Sequence, residues 1–206
     1  MSYTARGARR PNEKTFPPSA LLKGSGVTLA RAPTPEHNLR VVIVRHGPAE
    51  QRDPVRWPND ARRPLTNKGR VQTRRAARGL ARVADPVDRV VSSAAERAVA
   101  TAEMVRSALD RPPKLETWPE LAPGNLPNPI FDRLRRSARP GQEVVLVGHE
   151  PTLAEFIGLA LVGDDVSVVR LTKGGAACLE FPSDVKPGSA RLVWLLTRKQ
   201  LADGSS

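Results

Sequence analysis

The chain has 206 residues, 39% of them hydrophobic and 4% aromatic, enough to bury the core of one α/β domain. Its formal charge of +12 favours anionic partners. No run approaches the roughly 20 apolar residues of a membrane helix, and a single Cys excludes an intrachain disulfide framework. A reducing compartment, the cytoplasm, is therefore the expected location.

Residues 1–38 are rich in Pro, Gly, Ser, Thr and Arg, with no sustained apolar period, and read as a basic, disordered extension without a secretory signal. His37 lies there in the polar linker Pro35-Glu36-His37-Asn38 and is given no role. The folded unit opens with a strand over 39–46. Its run Val41-Val42-Ile43-Val44 has the β-branched character of a strand buried on both faces of a parallel sheet. The run ends in Arg45-His46-Gly47, where the chain emerges at the carboxyl edge of the sheet and α/β proteins hold their ligands.

A Pro/Arg/Asp-rich loop at 47–65 leads to a helix over 66–84 that should pack through Val71, Ala77, Leu80 and Ala84. Arg70, Arg74, Arg78 and Arg82 recur every four residues on this helix. Such a stripe is ordinarily a solvated face. The loop before it adds Arg52, Arg56, Arg62 and Arg63, and Arg52 to Arg89 carries eleven Arg and Lys against four Asp. Together they would steer an acidic or phosphorylated partner.

Val87–Val91 reads as a short strand. Ser93 followed by Glu96 is a capping-box pattern, which predicts a helix from Ala94 to about residue 109. Arg97 then falls in the first turns of a helix at the same sheet edge, where free N–H groups and the helix dipole favour anions. Lys114–Leu121 looks extended, and a Pro/Gly-rich loop precedes a short helix at 129–138. A second buried run, Val144–Val147, ends in Gly148-His149; this strand (143–148) feeds a helix at 151–163. Strands at 176–181 and 191–197 form a hairpin or sheet edge, and 201–206 is a tail. Strands alternating with helices define a three-layer α/β sandwich with a mainly parallel central sheet, spanning 39–200.

Two of the three histidines end the two most hydrophobic strands. Arg45, His46, Arg97 and His149 would thus meet at one edge. Two guanidiniums could hold phosphoryl oxygens while one His attacks phosphorus and the other, as imidazolium, completes the anion clamp. Positioning and charge neutralisation supply most of the catalysis in phosphoryl transfer. Four cationic donors would take over the role of a metal ion, so no cofactor is expected. One Cys and three His do not make a zinc site.

These residues resemble the histidine phosphatase superfamily, also called phosphoglycerate-mutase-like, and within it the SixA-type branch of phosphohistidine phosphatases. The resemblance rests on Val44-Arg45-His46-Gly47, Pro64-Leu65-Thr66-Asn67-Lys68-Gly69 with Gln72, Ser93 to Arg97 leading to Thr101-Ala102, Val147-Gly148-His149 and Trp194-Leu195-Leu196-Thr197. It covers about 39–200. It implies that His46 is the nucleophile that becomes phosphohistidine and that Arg45, Arg97 and His149 bind the phosphoryl oxygens. Members often carry Ser-Pro where this chain has Ser93-Ala94, a change of small consequence because Pro there pre-sets the first helical turn. The superfamily's general acid, often a Glu on the strand after that helix, corresponds to Glu120 in Trp118-Pro119-Glu120-Leu121.

Only 28 residues separate Glu120 from His149, where larger members insert lids. The short connection implies an open site, suited to a phosphorylated side chain on another protein, phosphohistidine first. The alternatives are a small-molecule phosphomonoesterase of the same superfamily, a basic nucleic-acid-binding protein and a non-catalytic phospho-ligand binder. Scattered aromatics and the lack of a recognition motif argue against nucleic acid. The intact set of four argues against a silent binder.

Overall fold

The computed structural model describes residues 38–204 except 85 and 183. Residues 1–37 of the expected extension, His37 among them, lie outside the described residues. Six strands form one sheet: β1 (Leu39–Arg45), β2 (Arg89–Ser92), β3 (Leu115–Thr117), β4 (Glu143–Gly148), β5 (Ala176–Phe181) and β6 (Arg191–Leu196). The spatial order is β3-β2-β4-β1-β5-β6. The first four are parallel neighbours, and β5 and β6 add an antiparallel hairpin at one side.

Side-chain alternation along the central strands builds two cores. On one face Leu39, Val41, Ile43, Val144 and Leu146 pack against α3 (Asn128–Ser137) and α4 (Thr152–Val162) through Phe131, Leu134, Phe156 and Ile157. On the other, Val42, Val44, Val145 and Val147 meet α1 (Asn67–Ala84) and α2 (Glu96–Arg106) through Leu80, Ala98 and Val105. Strands buried on both faces must be apolar throughout, which is why their runs were unbroken in the sequence.

Val71 is not part of that packing: it is 51% exposed, whereas Thr73, Ala76, Ala77, Leu80 and Ala84 are buried. Two residues along a helix turn a side chain by about 200°, so Val71 points away from the face that holds Thr73.

Residues 198–203 are helical, where a tail was expected from 201. Thr197 and Gln200 form a capping box that starts α5 (Arg198–Asp203). Leu201 of α5 is buried in the core against α1. Gly79 permits this approach, since a Cβ there would lie 1.8 Å from the Leu201 carbonyl oxygen. Arg82 donates to the Gly204 carbonyl, so the last Arg of the α1 stripe holds α5 in place.

Candidate active site

β1 and β4 are neighbours in parallel register, with Arg45 opposite Gly148. The next residue of each strand is a histidine, and the His46 N–H donates to Gly148 O at 3.1 Å. Strand pairing thus delivers both imidazoles to one spot: their ring centroids are 5.0 Å apart and their planes 53° apart.

His46 Nδ1 lies 2.7 Å from Gly47 O. A carbonyl only accepts, so Nδ1 carries the proton and Nε2 keeps its lone pair. Gly47 is required here, because a Cβ would fall 2.0 Å from Thr73 Oγ1. Its N–H donates to Thr101 Oγ1 at 3.0 Å, and that hydroxyl donates to Arg97 O at 2.7 Å, tying the turn after His46 to α2.

Helix α2 begins at Glu96, not Ala94, and Ala95 caps it without a side-chain hydrogen bond. Ser93 Oγ accepts from Ala95 N–H at 3.2 Å and lies 3.0 Å from His149 Nε2. The capping box is therefore not formed. Ser93 is drawn to the buried imidazole, an obligatory polar partner that local sequence does not show. Ser93 Oγ keeps one hydrogen after accepting from Ala95, and His149 Nε2 is the acceptor within reach of it, so that hydrogen is assigned to Nε2 and the ring proton to Nδ1.

Both rings are neutral at pH 7. Burial, with the charges of Arg97, Arg45 and Arg63, lowers His46 to about 4 against the support of its Gly47 hydrogen bond. Burial, then His46 and Arg97, lowers His149 to about 3. In the anion-free site His149 is thus a neutral N–H donor and not the expected imidazolium: a further positive charge is disfavoured in a buried position beside His46 and Arg97.

Arg97, 2% exposed, donates Nη1–H to the backbone oxygen of Asp60 at 2.7 Å and Nη2–H to its Oδ2 at 2.9 Å. Asp60 sits in a single 3₁₀ turn at 60–62, inside the loop that leaves β1. Its other carboxylate oxygen accepts from Arg63 Nε at 2.8 Å, and Arg63 Nη1 donates to Glu50 O at 2.7 Å. Arg45 donates Nη1–H to Leu171 O at 2.8 Å. A cleft of about 490 Å³ is lined by Arg45, His46, Arg97 and His149, together with Asp60, Arg63 and Lys173. One wall is the 49–63 loop, a part of the chain to which the sequence reading gave only a steering role.

Arg45 Nε, Arg97 Nε and His149 Nδ1 are buried and have no hydrogen-bond partner. Three N–H donors of cleft-lining residues are thus unsatisfied, which costs free energy unless an anion meets them. Glu120 lies on the 3₁₀ turn 119–121 after β3, its Oε2 buried and likewise unpartnered. From that connection Pro123, rather than Glu120, lines the cleft. Asp60 and the role of Ser93 escaped the sequence. No pattern marks Asp60, and Ser93 carries a pattern for a different role. Among the described residues, no three His, Cys, Asp or Glu side chains are grouped so as to hold a metal ion.

The model of the histidine phosphatase superfamily (branch 1) matches residues 41–126. An uncharacterised protein of Picosynechococcus sp. is 30% identical over 155 residues, covering 75% of this chain and 88% of that one. The structure of the protein histidine phosphatase SixA complexed with tungstate superposes with a TM-score of 0.66 at 24% identity, covering 79% of this chain and 99% of that one. A mycobacterial glucosyl-3-phosphoglycerate phosphatase superposes with a TM-score of 0.58 at 18% identity, covering 78% and 99%. The chain belongs to the histidine phosphatase superfamily. Its mixed sheet flanked by helices is the phosphoglycerate-mutase-like fold, as in SixA.

Proposed function

We propose that the chain removes phosphate from phosphohistidine on a partner protein, through a phosphoryl intermediate on His46. The observation that carries this is that Arg45, Arg97 and His149 line one cleft with His46, whose Nδ1–H is held on Gly47 O so that Nε2 keeps its lone pair. Two guanidiniums and an imidazole around one phosphoryl group would neutralise it while that lone pair faces phosphorus.

In the first step the P–Nε2 bond to His46 forms and the P–N bond to the substrate breaks. A substrate imidazole protonated on its other nitrogen departs neutral and needs no proton from the protein. His46, protonated on Nδ1, becomes the same kind of phosphoimidazole. In the second step a water oxygen bonds to phosphorus, the P–Nε2 bond breaks, and phosphate leaves with the water's hydrogens. His46 is restored.

A phosphoester asks for more, because an alkoxide leaving group requires a proton. Two of the carboxylates lining the cleft are poorly suited to give one: Asp60 is shared by two arginines, and Glu50 pairs with Arg56 at 3.8 Å. Glu150 accepts from two backbone N–H groups, and burial raises its carboxyl above the ordinary range. Glu120, the acid implied by family resemblance, does not line the cleft. A phosphohistidine, whose imidazole leaves without a proton from the protein, makes no demand on either group.

The test compares phosphohistidine protein, phosphoserine peptide and a sugar phosphate at matched concentration with wild-type and His46→Ala protein. Turnover of the first alone, lost in the variant, supports the reading. Preference for the sugar phosphate would establish the small-molecule alternative, and activity surviving the substitution would refute the nucleophile.

A further inference from the structure

We infer that Asp60 is a positioning residue for Arg97, holding one edge of its guanidinium so that the other edge is presented to the phosphoryl group. This rests on the phosphatase reading above.

A guanidinium has two edges able to grip an oxyanion: the Nη1/Nη2 end and the Nε/Nη2 side. Asp60 occupies the end, with its backbone oxygen on Nη1 and Oδ2 on Nη2. What remains is the side edge, Nε–H and the second Nη2 hydrogen, and Nε is among the buried donors without a partner. The fork offered to a ligand is therefore selected by Asp60.

The clamp is itself braced. Arg63 holds Oδ1, and Asn59 Oδ1 accepts from Ala61 N–H, fixing the turn that carries Asp60. Burial alone would raise the Asp60 carboxyl, but hydrogen bonds and charge from Arg63 and Arg97 hold it below the ordinary carboxylate range. It is thus an anion at neutral pH, fit to orient a cation and unfit to donate a proton. The same contacts fasten the loop after β1 to α2, so the nucleophile and Arg97 are set from one frame. Small displacements of a binding group near a reacting centre lower rates disproportionately.

The experiment is a double-mutant cycle. Asp60→Asn and Asp60→Ala are made in wild-type and Arg97→Ala backgrounds. Two quantities are read for each: kcat/KM on an aryl phosphate or phosphohistidine protein, and affinity for inorganic phosphate by calorimetry. In the wild-type background both should fall together, by roughly ten- to a hundredfold. In the Arg97→Ala background removing Asp60 should cost less than about twofold, because the group it positions is gone. Circular dichroism melts report folding, and Asp60→Asn, nearly isosteric, keeps the test open should Asp60→Ala unfold.

Equal losses in both backgrounds would overturn the inference by showing that Asp60 acts without Arg97. A wild-type protein that hydrolyses and binds phosphate but ignores Asp60→Asn would overturn it too, leaving the phosphatase reading intact. Wild-type protein that neither binds phosphate nor hydrolyses any of these substrates would instead remove that reading.

Discussion

Ser93 Oγ lies 3.0 Å from His149 Nε2, joining the end of β2 to the end of β4 across a buried contact. The hydroxyl that local sequence assigns to a helix cap instead meets the imidazole of His149. It also explains how a neutral His149 presents Nδ1–H to an anion.

Replacing Ser93 separates these two roles. An N-cap tolerates Asp as well as Ser, so a capping role predicts a harmless Ser93→Asp. In the observed geometry the new carboxylate sits beside His149, raises its pKa and repels phosphate. We expect Ser93→Asp to lose most activity, and Ser93→Ala to lose about five- to tenfold, the worth of one hydrogen bond. Titration of the His149 resonances by NMR checks the pKa; an unshifted value in Ser93→Asp would contradict the contact.

Arg45→Ala and Arg97→Ala should each lower kcat/KM by about a hundred- to a thousandfold, the usual effect of removing one preorganised donor from a developing oxyanion. Affinity for tungstate or phosphate should fall with it. Retention of anion affinity in either variant would place that guanidinium outside the phosphoryl site.

Acid stability follows from the two histidines. Both have folded pKa values below the ordinary 6.5, about 4 for His46 and about 3 for His149. Between pH 6.5 and those values the unfolded chain binds more protons than the native one. Stability is therefore fully present above about 6.5 and declines as pH falls towards 3. Thermal melts across that window should show the decline, and His149→Asn should flatten it. An unchanged slope would mean that His149 is not held neutral by the fold.

Glu120→Gln discriminates substrates. If Glu120 supplies the leaving-group proton, the change should slow phosphoester hydrolysis by about a hundredfold or more while leaving phosphohistidine turnover nearly intact. Equal effects on both would make Glu120 a structural carboxylate.

Arg70, Arg74 and Arg78 of α1 line a groove with Ala100, Glu103 and Met104 of α2, so that three cations face one carboxylate. Steering of an acidic protein substrate predicts a steeper loss of kcat/KM with salt for that substrate than for an aryl phosphate. Charge reversal at Arg74 and Arg78 should remove the difference, and equal slopes in the wild type would remove the idea.

What the sequence determined by itself was the sheet and the edge at which Arg45, His46 and His149 meet. Val41–Val44 and Val144–Val147 had to be buried on both faces, so Arg45-His46 and His149 had to emerge at their ends. The capping pair Thr197 and Gln200, which begins α5, was written there as well, though it reads as the end of a strand until Leu201 is seen to be buried. Only tertiary structure decided the charge on His149, the partner of Ser93 and the grip of Asp60 on Arg97. Each depends on groups far apart in the chain sharing a water-poor space, where an unmet donor or an extra charge costs most. No local pattern encodes which distant group will meet that cost.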